Sequence, residues 1–220
     1  MDLWQTRTDA TAYLQSVRPE RLACVIRIFD LLDQCVSEFE SAVTADAYAR
    51  LCGLSLLKIK NLALGSFSLD LDGLGQEAGA LMRPMLEYGE LLTYFRMFPE
   101  GADQTFEDKL PSAGKRAEKI GGIYKQFRDH LNDHAAHSSF SSYSISHLLE
   151  PSTLKFKKLQ RAVPHVLDAN CRDLALILLL VMRQAILSLE PAGSPRFLAI
   201  CESADTLKLD VLRAFDLENK

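Results

Sequence analysis

The sequence has no apolar run that could span a membrane. The longest, Leu174 to Met182, stops at Arg183, well short of the ~20 residues a spanning helix needs, and is read as a buried helix. Met1-Asp2-Leu3-Trp4-Gln5 places an acid early and offers no apolar signal-peptide core, so a cytoplasmic protein is expected. The five cysteines, Cys24, Cys35, Cys52, Cys171 and Cys201, form no pair with zinc-finger or redox spacing. That leaves them as reduced residues of a core. No phosphate-binding glycine loop, dinucleotide fingerprint, kinase set or nucleophile elbow is present, which removes the commonest nucleotide-dependent and hydrolase frameworks and implies no cofactor. Strand-like alternation is also missing. Phe67-Ser68-Leu69-Asp70-Leu71 comes nearest, but it is short and isolated.

Helical periodicity is what the chain has in abundance. Leu22, Val25, Ile26, Phe29, Leu32, Val36 and Phe39 recur every three or four residues, as one apolar stripe does, and Pro19 suits the first turn of that helix. Thr44 is placed to cap a second helix carrying Tyr48, Leu51, Leu54, Leu57 and Leu62, which Asp70-Leu71-Asp72-Gly73 closes. A long third helix is expected from Leu74 to Phe98, with Pro84 inside it as a kink or a late start. Pro111-Ser112 opens a fourth, presenting Ile120, Ile123, Tyr124, Phe127 and Leu131 on one face. A serine-rich break from Ser138 to Ser146 precedes a short basic helix near Leu154 to Leu159. Pro164 then opens the most apolar helix, expected at the centre of the fold and running to about Leu189. Pro191 to Pro195 is a turn, and a last helix reaches Phe215. With no repeat and no linker, the expected architecture is all-α: a single domain over residues 1–220, a bundle of about five to seven helices.

Charge is unevenly spread. From Lys109 to Arg161, ten basic residues outweigh Glu118, Asp129, Asp133 and Glu150, a net of +6 within a chain whose total is −4. Such a segment suits a polyanion, though solvated helix faces would look the same.

Two constellations carry candidate chemistry. His130, His134 and His137 cluster toward one side of the fourth helix at about 100° per residue, near the edge of its apolar face if Phe127 is the centre. Histidines at a helix C-terminus are also favoured by the helix dipole alone. They present i, i+4, i+7 spacing, so a metal site completed by Glu87 or Glu90 is a further alternative, although no metal is expected to be required. On the third helix Gln76, Arg83, Glu87, Glu90 and Tyr94 fall on one side, with Arg83 and Glu87 spaced to pair and expected to turn toward the histidines. A solvated polar stripe is the plainer alternative.

Arg128-Asp129-His130-Leu131-Asn132-Asp133-His134 resembles the Arg, polar residue, four residues, His pattern of the HEPN superfamily, helical domains that include many metal-independent ribonucleases. Ala80-Leu81-Met82-Arg83-Pro84-Met85-Leu86-Glu87, with the later helix ending in Asp133-His134-Ala135-Ala136-His137-Ser138, is also similar to an uncharacterised bacterial helical family associated with HEPN. The resemblance covers roughly residues 74–140. It implies RNA cleavage without metal, with His134 or His137 moving protons at the ribose 2′-OH and the leaving 5′-oxygen and Arg128 stabilising the transition state. It further implies a site shared across a homodimer and a toxin or stress-defence setting with an antitoxin-like partner. Arg83 and Glu87 would belong to the site, and Lys115, Lys119, Lys155 and Lys158 would hold the RNA backbone. On a regular helix Arg128 and His134 stand about 120° apart, so they converge only through arginine's length, an unwound helix end or the dimer. The rival class is a non-catalytic helical module that binds a protein or a small ligand.

Overall fold

The computed structural model describes residues 3–42, 47–106, 110–131, 148–150, 153, 155–157 and 161–217. Nine helices lie among them, more than the five to seven expected: α1 (Leu3–Val17), α2 (Pro19–Ala42), α3 (Ala47–Leu71), α4 (Gly75–Met97), α5 (Glu100–Phe106), α6 (Ala113–Lys119), α7 (Lys125–Leu131), α8 (Pro164–Leu189) and α9 (Phe197–Ala214). Three are added, α1 and α5, for which no helix was expected, and the second half of a fourth helix that is two, while the short basic helix expected near Leu154 to Leu159 is not among them. No strand forms among the described residues, and Phe67 to Leu71 completes α3. No helix there is long and apolar enough to cross a membrane.

Chain punctuation sets most boundaries. Pro19 and Pro164 stand at the first positions of α2 and α8, where a missing N–H costs nothing. At the end of α3, Gly73 takes φ +78°, and Leu74 N donates to Leu69 O at 2.9 Å while Gly73 N donates to Asp70 O at 3.0 Å. This pair of bonds turns the chain sharply back into α4. The same device cuts the expected fourth helix. Gly121 has φ +76°, with Gly122 N donating to Ala117 O at 2.8 Å and Gly121 N to Glu118 O at 3.0 Å. Residues 155–157 are extended rather than helical, with Phe156 bridged antiparallel to Leu149. Thr44 lies outside the described residues.

α8, expected at the centre of the fold, packs against α1, α2, α3, α4 and α9, and α3 and α4 each pack against five helices as well. Leu174, Leu178, Val181, Met182, Ala185 and Leu189 are all buried along α8. α3 and α4 form the most extensively packed pair beside it, and α2 packs against α3, α8 and α9. The face α3 buries differs from the expected one in part: Tyr48 and Leu51 are buried and Leu62 packs against the core, as expected. Leu54 and Leu57 are exposed, whereas Cys52, Leu56, Ile59, Ala63 and Ser66 face inward. Small residues on that side let neighbours approach: a Cβ on Gly53 would lie 3.0 Å from Phe39 Cβ, and one on Gly65 3.2 Å from a Leu81 methyl. Four cysteines are buried, Cys201 is partly buried, and all five are free thiols.

Candidate functional site

The polar side of α4 meets α6 and α7. Residues at 83, 87, 90 and 94 stack along one helix face because steps of three and four nearly complete a turn. Arg83 Nε donates to Glu87 Oε1 at 3.2 Å, and both side chains are about one-third exposed, at 34% and 31%. They pair as expected, but at the surface. The inward carboxylate is Glu90, only 1% exposed, and its partner is Arg128 of α7, 18% exposed, at 3.4 Å from Oε2. Thus the buried arginine–carboxylate pair joins α4 to α7.

Arg128 comes inward because the buried face of α7 is not centred on Phe127. Ile123 and Phe127 are exposed at 53% and 46%, while Tyr124 and Leu131 are buried. Tyr124, Arg128 and Leu131 follow helical spacing, so the arginine shares the inward stripe. The break at Gly121–Gly122 resets the helix phase, and angles counted from Ile120 no longer apply beyond it.

Arg116 of α6 completes the cluster. Its Nη1 donates to Pro111 O at 2.6 Å, while its buried Nε has no partner. Burial lowers its pKa, and Glu87 and Glu90 oppose that shift. Burial raises the Glu90 carboxyl, against the pull of Arg128 and with help from Glu87. Glu90 Oε1 also lacks a partner. Three arginines therefore gather about two carboxylates, one of them drawn toward its neutral form. The face carries a positive surplus.

A second buried group continues along α4 toward α8. Gln184 Oε1 accepts from Thr93 Oγ1 at 3.1 Å and Arg96 Nη2 at 3.0 Å. Tyr124 lies against Thr93, but its hydroxyl has no partner in hydrogen-bonding geometry, and burial raises its pKa. Buried polar atoms without partners are uncommon and mark places where water, an ion or a ligand atom fits.

The lysines occupy the rim. Lys115 is exposed, and exposed Lys119 lies over the rings of Tyr94 and Phe98, 5.8 and 5.6 Å from their centroids. Lys155 is exposed beside the short bridge at Phe156 and makes no ion pair among the described residues. His134, His137 and Lys158 lie outside the described residues, and of His130 only the helical backbone is described. Among the described residues no group of three or more His, Cys, Asp or Glu side chains could hold a metal. Among the described residues, Arg83, Glu87, Glu90, Arg116 and Arg128 are thus brought together.

Arg116, Arg96, Tyr124 and Gln184 were not expected at the site. The signal for Gln184 was present: an amide within the most apolar helix marks a buried polar contact. Arg116 and Arg96 had no such mark, because arginines on helices are common.

In the comparisons with known proteins, no family model, no curated protein and no solved structure matches this chain.

Proposed function

We propose that the chain is a HEPN-like, metal-independent RNA-binding and RNA-cleaving protein that acts as a homodimer, with α6 and α7 facing the RNA. The observation that carries this is the positive surplus where Arg83, Arg116 and Arg128 surround Glu87 and Glu90, rimmed by Lys115 and Lys119. A phosphodiester needs positive charge to hold it and a group titrating near neutrality to move protons. Arg128 supplies charge to the pentacoordinate transition state. His134 or His137 takes the 2′-OH proton or delivers one to the departing 5′-oxygen. Lys115, Lys119, Lys155 and Lys158 hold the backbone. A toxin or stress-defence role, with an antitoxin-like protein as a further partner, belongs to the same proposal.

A second reading has its own support. Arg128 is mostly buried and engaged with Glu90, the position of an arginine that fastens α7 to α4. In that case the chain is a non-catalytic helical interaction module.

Single-stranded RNA separates the two. Lys115→Ala with Lys119→Ala should weaken RNA binding and flatten its salt dependence, by about 0.7 in log–log slope for each phosphate left without its lysine. Replacing Arg128 alone would leave Glu90 buried without its partner, so cleavage is better tested with Glu90→Gln and Arg128→Gln together, and separately with His134→Ala and His137→Ala. Cleavage should be lost while the helical circular dichroism is retained. Binding without cleavage in the unaltered protein supports the interaction module; no binding even at low salt would falsify both the RNA and the ribonuclease readings.

A further inference from the structure

We infer that the cleft between the start of α2 and the end of α9 binds the phosphate group of a small molecule, independently of the α4 face. The cleft has a volume of about 590 Å³. Small-molecule pockets run from roughly 300 to 1,000 Å³. Its walls carry Arg18, Arg21, Arg27 and Arg213, facing three acids, Glu20, Asp210 and Asp216.

Two of these arginines are arranged in an unusual way. Arg18 Nε and Arg21 Nη1 each approach the same oxygen, Asp168 Oδ2, at 3.1 Å, and Tyr13 donates its hydroxyl to that oxygen at 2.9 Å. One carboxylate, 16% exposed, therefore holds two guanidinium groups side by side. Like charges so placed repel, and a second anion in the cleft relieves that repulsion. Arg21 is further fixed by donating from Nε to Ala214 O at 2.9 Å and by lying 5.2 Å from the Phe215 ring centroid. Its remaining contact, with Asp216 at 3.2 Å, is to a side chain that is 86% exposed. An exposed pair of that kind is weak and yields readily to a ligand. Arg27, 47% exposed, is held at the rim by Asp210 at 2.7 Å.

The arrangement suits phosphate. Arg18 and Arg21 form one side of the cleft mouth, and Arg27 lies two turns further along α2, so donors reach a ligand from separated points. Guanidinium forks match phosphate oxygens in pairs. A phosphate monoester carries close to two negative charges at neutral pH, so it can take the place of the exposed Asp216 carboxylate beside Arg21 and meet Arg18 as well.

The test uses the whole protein at constant ionic strength, with inorganic phosphate and phenyl phosphate as probes and chloride as the reference. Two-dimensional NMR should show saturable shifts at Arg18, Ala23 and Ala214, and phenyl phosphate should compete with inorganic phosphate. Arg18→Gln leaves Asp168 with Arg21 and Tyr13, and Arg27→Gln removes only a rim pair, so both variants should fold. Each should weaken phosphate binding at least tenfold, whereas Lys115→Ala with Lys119→Ala should leave it unchanged. Shifts that grow linearly without saturating, or equal binding by the arginine variants and the unaltered chain, would overturn the inference. The RNA proposal stands or falls separately, because its variants lie on α6 and α7.

Discussion

Asp70 is a carboxyl taken out of water with no cationic partner among the described residues. It is 4% exposed, and its Oδ1 accepts from Asn170 Nδ2 at 2.6 Å. Burial raises the carboxyl to about 7, against the hydrogen bond from Asn170 and with Asp173 adding repulsion. The folded state therefore keeps this proton up to about pH 7, whereas the unfolded chain releases it near the ordinary value of 3.8. Between those limits the native state binds more protons than the unfolded one, so stability falls as pH rises, by on the order of 4 kcal/mol in total. Asp70→Asn keeps an acceptor for Asn170 and has no charge to bury. Urea unfolding from pH 5 to 8 should show a flatter profile for the variant and a more stable variant at pH 8. Parallel profiles would mean that Asp70 is ionised in the native protein throughout. None of this is legible from Asp70 itself, since an aspartate before Asp72-Gly73 looks like an ordinary turn residue. What buries it is α8, one hundred positions away.

Among the elements, α6 and α7 show how one backbone conformation redirects a face. Had the chain from Pro111 continued as a single helix, Phe127 would have marked the inner side and Arg128 would have flanked it. Gly121 at φ +76° ends α6, and the chain starts again with Tyr124, just before α7, and Arg128 and Leu131 within it turned inward. Two glycines of the same segment should respond in opposite directions to alanine. Gly114 sits within α6 with open space around a Cβ, so Gly114→Ala should stabilise the protein by about 0.5–1 kcal/mol through helix propensity. Gly121 also has open space, but its left-handed φ disfavours a side chain, so Gly121→Ala should cost about 1 kcal/mol. Thermal unfolding of the two variants checks both signs. If Gly121→Ala stabilises, α6 and α7 form one helix in solution and Arg128 must be placed anew. The α3 face was hidden for a different reason. That helix is apolar on most sides, and the side it buries was settled by where Gly53 and Gly65 allow α2 and α4 to approach.

For the molecule as a whole, α8 packs against five neighbouring helices and carries a buried apolar row. Leu178 is 0% exposed at the middle of α8, and Leu178→Ala should cost about 2–5 kcal/mol. Leu198 on α9 is 73% exposed, and Leu198→Ala should stay within about 0.5 kcal/mol. Denaturant midpoints for the pair test whether α8 is the common core; similar small losses would show that the helices around it carry the fold without it. The two polar sites lie against this core from different helices: the arginine face on α4, α6 and α7, and the cleft on α2 and α9. Neither is built from one contiguous stretch, and the second has no sequence signature, since Arg18, Arg21, Asp168 and Asp216 meet only when α1, α2, α8 and α9 come together.

Local chemistry was enough to determine the all-helical character, the starts at Pro19 and Pro164, the turn at Gly73 and the burial of α8. Each depends on residues within a few positions of one another: a fixed proline φ, a glycine free to turn left-handed, an apolar run too long to leave in water. Tertiary structure alone decided that Glu90 rather than Glu87 would be the buried partner, that Arg116 would join it, and that Asp70 and Asp168 would be enclosed. Burial and charge pairing depend on which surfaces meet across long sequence separations. A helix with several apolar sides does not announce which of them its neighbours will choose.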